Sequence, residues 1–416
     1  MTFTNEEYEE FKETIGLMTY EFILLNIKKY INPQFHESVI KSIVDMIMLT
    51  INDIVLEYDK NELISTITTL VEESLKIFYK NICPPRSYNN TFIRLTQLDS
   101  HRDFLRRKLN YLKNVPQPQQ RTPEWYEFRY NHLTASNIWK TFCSNSTRNQ
   151  LIYEKCKPLN SDKYKKSNLS LDSPLHWGQK YEPLSALLYE KMYNTTVSDF
   201  GCIPHNKHNF LAASPDGINT LETSNRYGRM VEIKNIYNRL INGIPKLEYW
   251  VQMQIQLEVC DLNECDFFET RFKEYNDKDE FEKDTSTEHK GIIILFMNED
   301  GEPIYEYGPL HLSDSLKIEN WEESIMNKNN NYTWIKNIYW KLDEYSCVLV
   351  LRNKMWYSSI VSDLEEIWNI IEEEKKTGNY IHRSPKKTNK PITKKNTQSS
   401  NNDINITMNS TCLIDI

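Results

Sequence analysis

Ser214-Pro-Asp-Gly217 and Val231-Glu-Ile-Lys234 hold the residue types that phosphodiester chemistry needs. Taken alone, the first is a turn signal, since Pro, Asp and Gly each favour β-turns. The second alone is an ordinary half-buried strand, in which alternation puts Glu232 and Lys234 on one face and Val231 and Ile233 on the other. Taken together they say more. Asp216 and Glu232 lie 16 residues apart, enough for one hairpin, so neighbouring strands can bring Asp216, Glu232 and Lys234 to one point. Adjacent carboxylates repel and are costly to bury. A hard divalent cation such as Mg²⁺, which prefers oxygen ligands, resolves that conflict. Lys234 then orients or deprotonates an attacking water, or offsets charge building on the phosphate.

Further polar residues surround this pair in the sequence. Glu182 ends Trp177-Gly-Gln-Lys-Tyr-Glu182 and precedes Pro183. A helix starting at Pro183 puts the proline in its first turn, where it is tolerated, and Glu182 at the helix start. From there Glu182 either reaches a metal or complements the helix dipole. Tyr249-Trp-Val-Gln-Met-Gln254 opens a mostly apolar helix. Gln252 and Gln254 cannot share a face, so one points into a site and the other elsewhere. Upstream, Thr134 suits the N-cap of a helix beginning at Ala135. Arg129, Ser136 and the amides of that helix start form a phosphate-binding set, or simply a cap beside a surface arginine.

These residues need a mixed α and β frame. Strand-like runs fall at 196–202, 210–213, 229–233, 266–272 and 291–297, and helical runs at 123–130, 135–142, 183–193, 247–259 and 364–374. The expected fold is α+β, a central mixed sheet flanked by helices, spanning 121–379. Ahead of it, residues 1–114 form a helical accessory region, with apolar residues at three- and four-residue steps in 35–59 and 63–79. The run His101–Lys113 carries Arg102, Arg106, Arg107, Lys108 and Lys113. It reads as a solvated basic face, with a DNA-facing patch as the sharper alternative. Pro116-Gln-Pro-Gln-Gln is a linker. From 382 to 416, lysines among Pro, Ser, Thr and Asn make a tail that cannot bury a core. It is a solubilising tail, a DNA tether or a nuclear-localisation signal.

Composition narrows the partners. The net charge of −8 excludes general nucleic-acid coating, which depends on Lys and Arg releasing counterions. DNA binding must come from a local basic surface, a metal site or both. None of the eight cysteines forms a CxxC pair, which argues against zinc or iron–sulfur sites. The acidic opening is unlike a secretion signal, and no run of about 18 apolar residues marks a membrane span. An intracellular protein with reduced thiols is expected, in the host cytoplasm or nucleus if the source is viral.

The ordered set W-x-x-x-R-x-x-x-x-T-A-S, W-G-x-x-Y-E, S-P-D-G, E-I-K and Y-x-x-Q-x-Q resembles the lambda exonuclease and YqaJ-like viral recombinase family, a branch of the PD-(D/E)XK nucleases. The likeness covers roughly 121–275 and includes the versions found in large DNA viruses. It implies a restriction-endonuclease-like core with Asp216 and Glu232 as metal ligands and Lys234 as the catalytic lysine. Glu182 becomes the additional acidic residue near a second metal or water, and Gln252 completes the site. Arg129 and Ser136 become the holders of a 5′ phosphate. The implied activity is a 5′→3′ exonuclease on duplex DNA ends, using two Mg²⁺ or Mn²⁺ ions and leaving 3′ single strands for recombination, replication or repair. A single-strand annealing or replication protein and self-association are implied partners. Two alternatives stay open: a structure-dependent endonuclease on the same core, and a non-cleaving DNA-binding scaffold. The joint presence of Asp216, Glu232 and Lys234 argues against the scaffold. The long N-terminal region and the stretch after Tyr275 depart from the phage pattern.

Overall fold

The computed structural model describes residues 4–50, 60–88, 99–120, 122–159, 173–310 and 315–384. Its centre is a seven-stranded mixed sheet, as the α+β reading anticipates. The strands in chain order are β1 (Leu133–Thr134), β2 (Val197–Ser198), β3 (Ile203–Pro204), β4 (Leu211–Ala213), β5 (Gly217–Asn219), β6 (Met230–Asn235), β7 (Glu264–Glu274), β8 (Lys290–Met297), β9 (Pro303–Tyr307) and β10 (Thr333–Leu351). The large sheet runs β2-β5-β6-β7-β10-β8-β9, and β1-β4-β3 make a smaller one. β10 is 19 residues long and pairs with both β7 and β8, so it ties the site-bearing half of the sheet to the distal half.

β6 and β7 are parallel, which requires a crossover. The crossover is the helix Leu247–Cys260, with Trp250, Val251, Met253, Ile255, Leu257 and Val259 all buried. A helix covered on nearly every side must satisfy its polar groups inside the protein; Gln254 does so at both ends of its amide, and Gln256 through its Nε2.

Of the expected strand over 196–202 only Val197–Ser198 is strand, and the next strand, Ile203–Pro204, joins the other sheet. Gly201 separates them with a left-handed φ of +66°, and its amide donates to the Asp199 carboxylate at 2.7 Å. A side chain there would collide with Gln117, whose amide donates to the Phe200 carbonyl at 2.5 Å. The 116–120 linker is therefore fastened along this turn.

The N-terminal region is helical as expected, with helices Asn5–Leu25, Phe35–Thr50, Lys60–Asn81 and Asp99–Lys113. Its apolar faces do not close on themselves alone. Ile15, Val39, Ile43, Ile67 and Leu75 belong to one continuous core with Trp250, Trp356 and Ile360. Arg86 bridges the junction. Its buried guanidinium donates to the carbonyls of Tyr30 (3.0 Å), Ile31 (3.1 Å) and Pro245 (3.0 Å), and Trp250 Nε1 donates back to the Arg86 carbonyl at 2.9 Å. The basic helix Asp99–Lys113 buries Leu105, Leu109 and Leu112 in the same core, and ion pairs join its polar face to neighbouring segments. Arg106 pairs with Glu222 and Asp103, and Lys108 with Asp261. These pairings neutralise much of the expected basic face.

Residues 385–416 of the basic tail lie outside the described residues. Arg383, at its start, ends a short helix and pairs with Glu374. The seven described cysteines are free thiols. Among the described residues no helix is long and apolar enough to cross a membrane.

Replacing Arg86 with Met strands three buried carbonyls. Urea unfolding should show a loss of roughly 1–3 kcal/mol. An unchanged midpoint would show that the junction does not depend on these bonds.

Candidate nuclease site

The β5–β6 hairpin does what the 16-residue spacing anticipates. Gly217 pairs with Val231 and Ile218 with Met230 in antiparallel register, so the next pair outward is Asp216 opposite Glu232. Asp216 Oδ2 accepts from the Ile233 amide at 2.7 Å, which fixes the carboxylate against β6. Glu232 is fully buried. One of its oxygens pairs with Lys234 Nζ; the other accepts from Gln256 Nε2 at 2.8 Å. Lys234 packs over the Tyr249 ring, 5.3 Å from its centroid. The alternation read from the sequence is therefore observed, with Glu232 and Lys234 on one face.

Electrostatics follow from this crowding. Burial pushes the Asp216 carboxyl well above the usual range, and the neighbouring Glu232 pushes it further, while Lys234 opposes the rise. Burial works against the Lys234 charge, but Glu232 and Asp216 outweigh it and the ammonium holds its proton more tightly than usual. Among the described residues no three His, Cys, Asp or Glu side chains form a finished coordination cluster. Two hard oxygen donors forced together, with one carboxyl disfavoured as an anion, nonetheless suit an oxygen-preferring divalent cation.

Glu182 differs from the expectation. The helix does not start at Pro183; it spans Pro174–Tyr193, with Ser173 as N-cap and Pro174 in its first turn. Pro183 lies inside. Its missing N–H frees the Gln179 carbonyl and loosens the turn. Neighbouring carbonyls take side-chain partners: Asn235 Nδ2 donates to Gly178 O at 3.1 Å and Tyr307 Oη to Lys180 O at 2.6 Å. Glu182 is exposed and acts electrostatically on Asp216, so it faces the site from mid-helix.

The glutamine that touches the carboxylates is Gln256. Gln254 turns away, donating to Leu351 O at 2.9 Å and accepting from the Asn353 amide at 2.7 Å. Gln252 lies one turn before Gln256. Tyr249, Gln252 and Gln256 fall on one helical face by their spacing, and the first and last of them meet Lys234 and Glu232. Sequence reading passed over Gln256, although its four-residue step from Gln252 was the available signal. Asn235, also passed over, follows Lys234 directly. Its Oδ1 accepts from Ser185 at 2.7 Å and Thr270 at 2.9 Å, clamping the Glu182 helix to the end of β6.

Arg129 and Ser136 do meet: Arg129 donates to Ser136 Oγ at 3.2 Å while stacking on Trp125, 4.6 Å from the ring centroid. Thr134 is the N-cap as expected, but the helix Ala135–Ile138 has only four residues before a 3₁₀ turn. Its dipole is correspondingly small, leaving anion binding to the side chains. β1 and β4 are parallel neighbours, with Thr134 beside Ala212. Ser136 follows the end of β1 and Asp216 the end of β4, so both clusters leave the small sheet at the C-terminal end of these two strands.

Residues 124–263 match the YqaJ-like viral recombinase domain. This segment is similar to that domain. All five motifs of the sequence-based resemblance fall within it. Protein R354 of Acanthamoeba polyphaga mimivirus is 30% identical over 332 residues, covering 68% of this chain and 58% of the relative. The chain thus spans less than two thirds of that relative's length. Among solved structures, LHK-Exo in complex with dAMP is 17% identical over 63% of this chain and 98% of its own, with a TM-score of 0.36. The alkaline exonuclease LHK-Exo from Laribacter hongkongensis is 17% identical over 63% of this chain and 97% of its own, at 0.34. The likeness therefore rests on the family match and on the convergence of the chain's own motifs.

Asp216→Asn keeps the acceptor for the Ile233 amide and removes one of two crowded charges. Without divalent cations, unfolding at pH 8 should show a gain of roughly 0.5–2 kcal/mol, as expected where a site sacrifices stability for activity. A loss of stability would mean the carboxylates are not in conflict.

Proposed function

We propose that this chain is a Mg²⁺- or Mn²⁺-dependent deoxyribonuclease that digests duplex DNA from its 5′ ends and leaves 3′ single strands. The convergence of Asp216, Glu232 and Lys234 within a segment similar to the YqaJ-like domain carries this reading. Asp216 and Glu232 are the residues that would hold the cation, with Glu182 the additional carboxylate toward a second ion. A bound cation there supplies positive charge to the scissile phosphate and acidifies a water. Lys234 holds its proton in this setting, which suits it to neutralise a phosphate oxygen rather than to abstract a proton. Gln256 orients Glu232, and Gln252 faces the same space for substrate or water. Arg129 and Ser136 hold the terminal 5′ phosphate, since a guanidinium and a hydroxyl match its acceptor oxygens. A chain-end pocket beside the carboxylates favours an exonuclease over an endonuclease. A protein that coats or anneals the single-stranded product is the corresponding partner.

The test is digestion of 5′-phosphorylated linear duplex beside closed circular duplex. Linear DNA should be degraded only with a divalent cation, and circles should survive. Lys234→Ala and Asp216→Asn should slow digestion by roughly 10²–10³-fold or more while the protein stays folded by circular dichroism. Cleavage of circles at a comparable rate would favour the endonuclease; binding without cleavage in any divalent metal would favour the scaffold.

Arg129→Ala should weaken the preference for phosphorylated over hydroxyl ends. Equal loss on both ends would remove Arg129 from the phosphate pocket.

A further inference from the structure

Behind Arg129 sits a charged group that the proposed reaction does not use. Lys155, in the helix Asn145–Cys156, is only 5% exposed, and its ammonium donates to the Arg129 backbone carbonyl at 2.6 Å. Its sequence neighbour Glu154 is engaged elsewhere, accepting from Lys140 and from Gln150, each at 2.7 Å. The other groups around Lys155 are mostly basic. Lys375 reaches in from the helix Lys354–Thr377 and lies 3.8 Å from the centroid of the Tyr130 ring, next to Arg129. His132 follows on the same segment, its ring bonded to the Phe128 carbonyl. Cys202, against Arg129, is kept a neutral thiol by burial.

An ammonium shut away from water and surrounded by cations is costly unless an anion joins it. We propose that Lys155 is a positioning residue for the terminal phosphate, fixing Arg129 from behind and supplying a buried counter-charge that becomes fully protonated when the phosphate is bound. This inference rests on Arg129 and Ser136 forming the 5′-phosphate pocket. The geometry separates its two functions. The hydrogen bond to the Arg129 carbonyl sets the end of the Pro123–Tyr130 helix, and through it the guanidinium that reaches Ser136. The charge acts through space on whatever anion that guanidinium holds.

Proton linkage gives the role a signature. Burial first, then Arg129 and Lys375, bring Lys155 down to about 7. A phosphate dianion nearby raises it again, so binding takes up a proton between the free and bound values. Affinity for a phosphorylated end is then greatest toward neutral pH and falls as pH rises above 7, by at most about tenfold per unit for one proton. The phosphate itself, with its second pKa near 6, is already a dianion there. His132 is held neutral mainly by burial, and Lys375, which burial also lowers, is the other lysine whose titration the experiment must separate.

The experiment measures KM and kcat for 5′-phosphorylated and 5′-hydroxyl linear duplexes from pH 7 to 9, using the full chain, Lys155→Met and Arg129→Ala. Met conserves volume, and digestion of hydroxyl ends reports whether the variant is folded. For Lys155→Met, the KM advantage of the phosphorylated end should shrink by about fivefold or more, the lower range of ordinary coupling between sites. Its pH slope should vanish while kcat on hydroxyl ends changes little. An undiminished preference, or a slope that persists and so belongs to Lys375, overturns the proposal. So does equal loss on both kinds of end, which would mark Lys155 as a purely structural residue; if Lys155→Met does not fold, Lys155→Arg, which keeps the charge but does not titrate in this range, must keep the preference and lose the slope. If Arg129→Ala leaves the phosphate preference intact, the pocket reading itself fails, an outcome distinguishable from failure of the Lys155 role alone.

Discussion

Asp216 and Glu232 are held side by side where little water reaches them, and most of the surrounding structure serves to tolerate that contact. Two carboxylates in such a place repel each other and lose hydration. The β5–β6 register brings them together, and backbone and side-chain donors keep them there: the Ile233 amide on Asp216, and Gln256 and Lys234 on Glu232. None of these donors removes the conflict, as the raised Asp216 carboxyl shows. On the proposed reading, a cation bound there would relieve a cost already built into the fold.

Holding such a site requires rigid support, and each supporting element is anchored away from it. The crossover helix that carries Gln256 is buried on nearly every side and is braced through Trp250 and Arg86 against the N-terminal helices. Those helices thus act as a buttress for the site-bearing helix, and their core is continuous with that of the nuclease-like part. On the other flank, Asn235 takes the loosened turn before Pro183 and ties it to β6. Asn235 and Tyr307 hold the Gly178 and Lys180 carbonyls, which flank the one the proline leaves without its donor.

Charge is distributed locally rather than globally. The chain is acidic overall, with a formal charge of −8, and the basic helix Asp99–Lys113 spends much of its charge on Glu222, Asp103 and Asp261. Positive charge short of carboxylate partners collects instead behind Arg129, where Lys155 and Lys375 approach from two other helices. A chain end carries the extra negative charge of a terminal phosphate, so a concentrated cationic pocket distinguishes ends from duplex interior better than a broad basic face does.

The sequence by itself determined which side chains are candidates for the chemistry, and much of the frame. Period-two alternation placed Glu232 and Lys234 on one face, and the 16-residue gap implied the hairpin that brings in Asp216. Thr134 announced its cap, and the apolar periodicities announced the helices, because these features depend on residues within a turn or two of each other. What depended on distant partners was not legible. The start of the Glu182 helix was misread because Pro183 signals a first turn locally, whereas Asn235 and Tyr307 make an interior proline tolerable. Gln256 was passed over although it stands one helical turn from Gln252, because only the packed helix shows which glutamine meets Glu232, 24 residues upstream. The 196–202 run was read as one strand because the turn at Gly201 is fastened by Gln117, on a separate linker. Nothing in the sequence marks Lys155, whose burial against Arg129 arises only when its helix packs there. Local periodicity and spacing are written in neighbouring residues, while burial and electrostatic company arise only when remote segments exclude water together.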